Sequence, residues 1–234
     1  MNSETGGSAR EFTVILPTLN EEKNLGELIA EISKVFPSAK LIVADDGSRD
    51  ATVRIANERG AQVLDRKNAE VKGITASVLD ALGKVETPYF VVMDSDFQHP
   101  PEKIGEMIAE LEKGNDLVIG WRESVPNWGL HRRIISLGAE LLGKMRLTVF
   151  GNPVPRDIMS GFFGGRTDFV KASVQKNPKR FVGRGYKILF DLVKGMKKSG
   201  ARIAEVPYVF GLRERGTSKI GIKHILFYLE SVFR

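Results

Sequence analysis

The feature that most constrains this chain is an apolar run that ends in two carboxylates one residue apart. Residues 89–93 form the run, and Asp94 and Asp96 follow it directly. The proline pair at 100–101 ends the extended segment and favours a helix that begins at Glu102. Two acids at the end of a buried strand are costly unless a cation neutralises them. The segment therefore predicts a site where a divalent metal bridges to a phosphorylated substrate.

Length and composition exclude several classes of protein. With 234 residues the chain can form one large domain or two small ones. The absence of cysteine removes disulfides, zinc–thiolate sites and thiol catalysis, and suits a reducing compartment. Residues 1–10 do not resemble a signal peptide and are predicted to be a disordered tail. No apolar run reaches 18 residues, so no bilayer-spanning segment is expected.

Charge is distributed unevenly between the two halves of the chain. Residues 1–117 contain 13 Lys+Arg and 21 Asp+Glu, a net charge of −8, whereas residues 118–234 contain 22 and 8, a net charge of +14. One interpretation of the basic half is an ordinary solvated surface. The other is a surface that meets anionic partners such as phosphates, nucleic acid or an acidic membrane.

Short apolar runs alternate with helical patterns between residues 12 and 120, which predicts an α/β fold with a mostly parallel sheet flanked by helices. The predicted strands are 12–16, 41–44, 61–64, 89–93 and 117–119, and the predicted helices are 21–35, 50–59, 72–84 and 101–113. Asn20 and Ser48 precede acidic residues and are predicted to cap the first two helices.

The pattern is less regular after residue 121. It predicts helices at 130–146, 167–176, 185–198 and 219–233 and strands at 161–165 and 203–210. We interpret residues 11–234 as a single domain, because no linker marks a second one. Residues 219–234 are expected to be an amphipathic helix, and a membrane anchor beyond it is one interpretation of where the chain ends.

Polar clusters follow three of the predicted strands. They lie at 17–21, 45–48 and 94–96, and ligands of open parallel sheets bind at these carboxyl ends. The cluster at 45–48 alone would be interpreted as a turn with a helix cap, but three clusters on one edge favour a binding site. Neither a Gly-x-Gly-x-x-Gly motif nor a P-loop is present. Acids in place of glycines suggest a nucleotide held through its base and ribose, with its diphosphate on a metal.

These motifs resemble those of the family 2 glycosyltransferases of the GT-A (Rossmann-like) fold. Further motifs narrow the resemblance to the polyprenyl-phosphate sugar synthases of the dolichyl-phosphate mannose synthase type. The resemblance extends from about residue 12 to the C-terminus, and its motifs lie at 17–21, 45–48, 93–102, 119–122, 160–163 and 211–219.

The resemblance implies a nucleotide pocket and a metal site at the strand ends. The expected substrate-binding positions on this side are Pro17, Leu19, Glu21, Ala44, Asp46, Asp94, Ser95 and Asp96. The family more often has an aromatic residue where Leu19 stands. Mg²⁺ or Mn²⁺ is expected to be held against the diphosphate by Asp94, Asp96 and Gln98.

The resemblance also assigns cations of the basic half to the phosphates of donor or acceptor. The positions that match are Arg122, Arg132, Arg213 and Lys219, and Ser160 is expected in a loop beside the reacting centre. Asp96, Arg122 and Arg132 are the expected catalytic residues. Any one of these arginines could equally be a surface cation, so only the motifs single them out. His99 is expected to cap a turn, with a direct role as the alternative, and His131 and His224 are expected at the surface.

The implied reaction is an inverting transfer of a hexose, most simply mannose from GDP-mannose, to dolichyl or another polyprenyl phosphate. A metal and arginines would stabilise the leaving diphosphate, and the acceptor phosphate is already an anionic nucleophile. The alternatives are a UDP-glucose or other UDP-sugar donor, a nucleotidyltransferase, and a basic nucleic-acid-binding module. The last would need aromatic platforms among the cations, so nucleic acid is not an expected partner.

Two amphipathic helices suggest contact with a membrane. Residues 130–146 place Ile134, Leu137, Leu141 and Met145 on one face, and residues 219–233 place Ile222, Ile225, Leu226, Leu229 and Phe233 together. Such faces either pack on the core or lie on anionic lipid. The resemblance favours lipid. We therefore expect a peripheral enzyme on the cytoplasmic face of a membrane, with or without a membrane-anchoring partner, or a soluble fragment of an anchored one.

Overall fold

The computed structural model describes residues 11–125, 130–197, 200–211 and 222–234. Its strands are β1 Phe12–Thr18, β2 Lys40–Asp45, β3 Gln62–Asp65, β4 Tyr89–Val92, β5 Leu117–Ser124, β6 Phe163–Arg166 and β7 Ile203–Val209. Its α-helices are α1 Leu25–Val35, α2 Thr52–Glu58, α3 Ile74–Lys84, α4 Lys103–Glu112, α5 Leu130–Val149, α6 Thr167–Lys176, α7 Ile188–Val193 and α8 Ile222–Phe233. The predicted tail at 1–10 and the predicted helical residues 198 and 219–221 lie outside the described residues.

The sheet has seven strands in the order β3-β2-β1-β4-β6-β5-β7. The pairs β1–β2, β1–β4, β2–β3 and β5–β7 are parallel, which confirms the predicted mostly parallel sheet. Strand β6 runs antiparallel to both β4 and β5. Because β6 is reversed, the loop that precedes it, rather than the loop that follows it, lies at the carboxyl ends of the other strands.

Helices cover both faces of the sheet, because side chains of each strand alternate between two apolar clusters. Ile15 and Val92 belong to a cluster with residues of α3, α5, α6, α7 and α8. Leu16 and Val91 belong to the opposite cluster, with residues of α1, α2 and α4. The central strands β1 and β4 read as continuous apolar runs because they are buried on both sides.

The predicted helix caps are wrong. Helix α1 is preceded by Asn24 and α2 by Ala51, so Asn20 and Ser48 lie several residues before the helices they were expected to cap. They are used instead to join two loops, as described below. The predicted helix at 185–198 is also shorter, with α7 spanning Ile188–Val193. Before it, the carbonyl of Gly185 accepts a hydrogen bond from the start of α3, and after it the N–H groups of Gly195 and Met196 make turn hydrogen bonds.

The apolar face of α5 lies on the surface and does not pack on the core. Leu137, Leu141 and Met145 are 64%, 62% and 57% exposed, so the core-facing interpretation of this face is wrong. On α8, Leu226 and Phe233 are likewise exposed, while Tyr228 on the other side is buried and donates a hydrogen bond to the Ala139 carbonyl of α5. Within the described ranges, no helix combines the length and apolarity needed to cross a bilayer.

Candidate active site

The loops after β1 and β2 are joined by hydrogen bonds between their polar side chains. The backbone N–H of Asn20 donates to Ser48 Oγ at 2.7 Å, and the N–H of Arg49 donates to Asn20 Oδ1 at 2.8 Å. Asn20 has a φ of 52°, a left-handed conformation that asparagine tolerates better than most residues. Asn20 and Ser48, which were expected to cap helices, therefore join the two loops that form one side of the site.

Asp45 shapes the β2 loop and does not face a ligand. It is 1% exposed, and its Oδ1 accepts hydrogen bonds from the N–H groups of Gly47 and Ser48 at 3.0 and 2.8 Å. Thr18, at the end of β1, donates to its Oδ2 at 3.4 Å. A buried carboxylate satisfied by local donors is a structural element, which agrees with the turn interpretation of this position.

Asp46, in contrast, is oriented by groups from distant segments. Its Oδ1 pairs with Arg66, and its Oδ2 accepts a hydrogen bond from the N–H of Gly73 at 2.7 Å. Arg66 is 4% exposed and also donates to Asp80 and Ser77, at 2.8 Å each. Burial raises the pKa of Asp46 above its ordinary value, although the Gly73 N–H and Arg66 act in the opposite direction. The carboxylate is thus held in one orientation at the strand edge.

The acids that follow β4 lie at the same edge. Ser95 Oγ donates to the Pro17 carbonyl at 3.5 Å, which joins the ends of β1 and β4. Asp96 is 4% exposed and its Oδ1 accepts the N–H of Gln98 at 3.1 Å, whereas the Asp94 side chain is 37% exposed. The Gln98 amide donates to the Gly211 carbonyl at 3.3 Å. In the described part of the chain, no three acidic or histidine side chains are grouped as a metal site.

His99 is a fully buried part of this site. Its Nδ1 accepts the backbone N–H of Asp94 at 2.9 Å, so the proton of the neutral ring is on Nε2, which lies 3.9 Å from Asp94 Oδ2. The ring stacks on Phe162 with centroids 5.2 Å apart and contacts the edges of Tyr208 and Phe210. Burial lowers the pKa of His99 to about 4.

Arg122 is held by a buried carboxylate that the sequence alone did not single out. At the end of β5, its Nε and Nη2 donate to the two oxygens of Asp157 at 2.7 and 2.9 Å, with exposures of 13% and 9%. Burial opposes ionisation of Asp157, but the paired guanidinium outweighs it and lowers the pKa of that carboxyl. The fork geometry fixes the guanidinium as well as neutralising it.

The loop before β6 brings the two sides of the site together. Asp157 holds Arg122, and the Met159 carbonyl accepts a hydrogen bond from Lys187 Nζ at 2.5 Å. Gly161 lies against Asp94, because a Cβ added to it would be 3.3 Å from Asp94 Oδ2 and 3.2 Å from the His99 ring. We name residues 157–161 the bridging loop.

Ser160 lies in the bridging loop, where the resemblance had placed it. It is 4% exposed, and its Oγ accepts the N–H of Phe162 at 3.1 Å. Leu19 is 38% exposed at the end of β1, and Ala44 is buried in β2. Pro17, Ala44 and the loops after β1 and β2 thus share one edge with Asp94 and Asp96. Arg213, Lys219 and the side chain of Arg132 lie outside the described residues.

Four residues of the site were not predicted to belong to it, namely Arg66, Asp157, Lys187 and Tyr208, and His99 was given only a minor role. The sequence did contain an indication for Asp157. It is one of only 8 acidic residues among residues 118–234, which contain 22 basic ones, and it lies three residues before the motif at 160–163. The other three depend on the order of strands in space, which the spacing in the sequence does not reveal.

A match to a protein-family model decides the family. Residues 13–173 match the family described as Glycosyl transferase family 2. The chain belongs to this family. The match begins at β1 and includes β6, so it contains the strand-end acids and the bridging loop of this family 2 chain.

Curated relatives carry more specific names. The chain is 36% identical over 96% of its length to the dolichol-phosphate mannosyltransferase of Pyrococcus furiosus, and spans 63% of that relative's length. It is 33% identical over 96% of its length to the protein of that name from Mycosarcoma maydis, spanning 79% of it. It is 28% identical over 95% to the one from Saccharomyces cerevisiae, spanning 85% of it.

Solved structures confirm the GT-A fold. Glucosyl-3-phosphoglycerate synthase from Mycobacterium tuberculosis, in complex with Mn²⁺, UDP and phosphoglyceric acid, superposes with a TM-score of 0.66, 23% identity, and coverage of 95% of this chain and 78% of that one. Its complex with Mg²⁺ and UDP gives a TM-score of 0.63 at 22% identity, with coverage of 95% and 77%. At this identity the likeness shows the fold alone.

Proposed function

We propose that this chain transfers mannose from GDP-mannose to dolichyl or another polyprenyl phosphate. The observation that carries the proposal is the 36% identity, over 96% of the chain, to a dolichol-phosphate mannosyltransferase. The geometry agrees with it, because acids of the first half and buried cations of the second half meet at the bridging loop. A sugar nucleotide needs the first set of groups, and a phosphate acceptor needs the second.

The donor side is formed by the ends of β1, β2 and β4. The Asp46 carboxylate, fixed by Arg66 and Gly73, is suited to accept hydrogen bonds from a base or ribose. Asp94, Asp96 and Gln98 would hold Mg²⁺ or Mn²⁺, and carboxylate and amide oxygens are the ligands these hard cations prefer. When bound, the metal stabilises the charge that develops on the leaving diphosphate.

The acceptor requires no general base, because a phosphate monoester is already anionic at neutral pH. Arg122, kept in one orientation by Asp157, would position this nucleophile or the leaving group. We propose a single in-line displacement: the acceptor phosphate oxygen forms a bond to the anomeric carbon as the bond to the nucleoside diphosphate breaks. This step inverts the anomeric centre. Arg132, Arg213 and Lys219 are proposed to add cations on the acceptor side.

The exposed apolar faces of α5 and α8 are proposed to lie on a membrane, where the lipid acceptor resides. Arg146 flanks the α5 face and stacks on Phe150 with its guanidinium carbon 3.5 Å from the ring centroid. An apolar face bordered by cations is typical of a helix that lies at an anionic lipid surface. Peripheral attachment at the cytoplasmic face follows from this part of the proposal.

A UDP-sugar donor is the second candidate, because the solved relatives of this fold are described with UDP. Incubation with radiolabelled GDP-mannose or UDP-glucose, dolichyl phosphate and Mg²⁺, followed by organic extraction, separates the two. We expect label in the organic phase from GDP-mannose alone. Label from UDP-glucose alone would identify a UDP-sugar as the donor. No label from either compound would contradict the proposed transfer to a lipid phosphate.

A further inference from the structure

Lys187 is a cation of the site to which no role has been given. It directly precedes α7 and is partly buried, and its Nζ donates to the Met159 carbonyl at 2.5 Å. An ammonium carries three N–H donors. Among the described residues, the Met159 carbonyl is its one hydrogen-bond acceptor, and no carboxylate oxygen lies within 4.0 Å of Nζ. Nζ also lies 4.5 Å from the centroid of the Tyr186 ring, a cation–π contact that supplies no counter-ion. At least one donor is thus left for a ligand or solvent.

The charges around Lys187 favour an anion there. Arg122 is a cation that repels the Lys187 ammonium, and its own charge is already matched by the two oxygens of Asp157. Burial, followed by the repulsion from Arg122, lowers the pKa of Lys187 to about 7, while Asp157 and Asp94 act in the opposite direction. A partly buried ammonium without its own counter-ion is costly in the free protein, and an anion that binds to it removes this cost.

The location of Lys187 indicates which anion this is. Met159, which holds the ammonium, is two residues from Asp157, which holds Arg122, and two residues from Gly161, which contacts Asp94. The bridging loop therefore brings the ammonium close to both sides of the site, and the charges that act on it are those of Arg122, Asp157 and Asp94. A phosphate group that reacts at this site must pass or occupy the same space.

We infer that Lys187 binds a phosphate oxygen of one of the two substrates, either the diphosphate of the nucleotide or the phosphate of the lipid. The identity of these substrates rests on the proposed function, but the chemistry recognised is a phosphate anion in both cases. A purely structural lysine would only have to donate to the Met159 carbonyl. A neutral amide can make that hydrogen bond too, and so the two roles can be separated.

The test compares Lys187→Gln, which keeps a hydrogen-bond donor without the charge, with Lys187→Arg, which keeps the charge. Calorimetric titration with inorganic pyrophosphate plus Mg²⁺ probes the donor side, and titration with citronellyl phosphate, a short water-soluble prenyl phosphate, probes the acceptor side. We expect Lys187→Gln to bind one of these probes about 10- to 100-fold more weakly, as for loss of a charge-assisted hydrogen bond. Lys187→Arg should stay within about fivefold of the wild type.

Lys171→Gln is the matched control. Lys171 is also partly buried and donates to a backbone carbonyl, that of Val85, at 2.7 Å, but it lies on α6 away from the bridging loop. This variant should bind both probes like the wild type. Thermal unfolding of each variant verifies that it is folded, and Lys187→Met provides a second uncharged variant if Lys187→Gln does not fold.

The inference is wrong if a folded, uncharged variant binds both probes as tightly as the wild type does. It is also wrong if the wild type binds neither probe. Because neither probe contains a nucleoside or a sugar, the result does not depend on turnover. If no sugar is transferred but Lys187→Gln loses pyrophosphate affinity, the proposed function fails and the phosphate site stands.

Discussion

Single side chains of this site owe their chemistry to burial. His99 is 1% exposed and is kept neutral, with its ring between Phe162 and the edges of two other aromatic residues. Its hydrogen bond with the Asp94 N–H fixes the backbone at the first acid of the metal segment. Asp157, whose side chain is 9% exposed, stays ionised because a guanidinium faces both its oxygens.

His99 predicts how the stability of the metal-free protein depends on pH. Its pKa is about 4 when folded and 6.5 ordinarily, so the unfolded chain takes up the proton first. The neutral ring therefore contributes to the free energy of unfolding fully above pH 6.5, and this contribution is lost as the pH falls towards 4. At pH 4.5 the free energy of unfolding should be lower by about 2 to 3 kcal/mol. Urea unfolding at pH 7 and 4.5 should show a smaller decrease for His99→Gln than for the wild type. Equal decreases would contradict a neutral buried ring.

Asp96 predicts a loss of activity without a loss of structure. Asp96→Ala should reduce metal-dependent transfer by at least about 1000-fold, because the leaving diphosphate loses stabilisation that the metal provides. The unfolding temperature of the variant should remain close to that of the wild type. Initial rates with increasing Mg²⁺ or Mn²⁺ are the measurement, with EDTA as a control. Full activity of the variant, or of the wild type in EDTA, would reject the metal assignment.

Asp157 predicts a combined effect on stability and rate. Asp157→Asn leaves Arg122 buried without its counter-ion, which costs about 3 to 5 kcal/mol when one partner of a buried pair is removed. The guanidinium also loses its fixed orientation, so kcat should fall. Denaturant unfolding and steady-state kinetics measure the two effects. A variant with wild-type stability would show that the pair is more solvated than its exposures of 13% and 9% indicate.

At the scale of elements, backbone groups of one segment often supply the hydrogen-bond partners that another segment lacks. The N–H groups of Thr75 and Ala76 in the first turn of α3 donate to the carbonyls of Gly185 and Gly183, each at 3.1 Å. These donors have no partner within the helix, so the remote loop acts as its cap. Gly73, just before α3, has a φ of 141° and approaches this loop closely.

Gly73→Ala is therefore expected to lower both stability and donor affinity. A Cβ at this position would be 2.9 Å from backbone atoms of Arg184 and Gly183, and its φ is unfavourable for a residue with a side chain. We expect a loss of about 1 to 3 kcal/mol in unfolding free energy, and weaker GDP binding because the Gly73 N–H orients Asp46. In Gly83→Ala, a control inside α3, the Cβ meets nothing within 4 Å, and stability should rise slightly.

The elements themselves could largely be predicted from sequence, whereas their assembly could not. Apolar runs predicted β1, β2, β3 and β4 closely and β5 at its start, because burial determines residue type directly. The insertion of β6 between β4 and β5 has no local signal. The contacts of Asp157 and Lys187 follow from that insertion and were therefore missed. Asn20 and Ser48 were wrongly predicted to cap helices, because their hydrogen bonds join two loops that are separated in sequence by about 28 positions.

At the scale of the whole molecule, the exposed faces of α5 and α8 lie next to each other. Arg146 of α5 donates to the carbonyl of Val232 in α8 at 3.1 Å, and Tyr228 links the same two helices. Leu141 and Leu226, at 62% and 60% exposure, are thus exposed apolar side chains on two helices that pack against each other. The basic half of the chain contributes both helices, which suits an anionic lipid surface.

Leu141→Glu should weaken binding to anionic vesicles by at least about tenfold, because it removes apolar area and adds a charge that the lipid repels. Co-sedimentation with phosphatidylserine-containing vesicles measures this. Val35→Glu is the control, since Val35 is 53% exposed on α1, away from this surface. Activity on citronellyl phosphate should be retained in both. Equal vesicle binding by the two variants would contradict the proposed membrane surface.

The reversed strand β6 also has a consequence for synthesis of the chain. In the sheet formed by the described residues, β5 lies between β6 and β7, and β4 has β6 as its outer neighbour. While residues 163–166 are still inside the ribosome, the emerged chain can form the sheet β3-β2-β1-β4 but leaves an unpaired edge at β4 and an apolar β5 without a partner. Such edges invite association between chains. The stage at which β5 has left the ribosome and β6 has not is therefore the one at which we expect chaperone binding to be strongest.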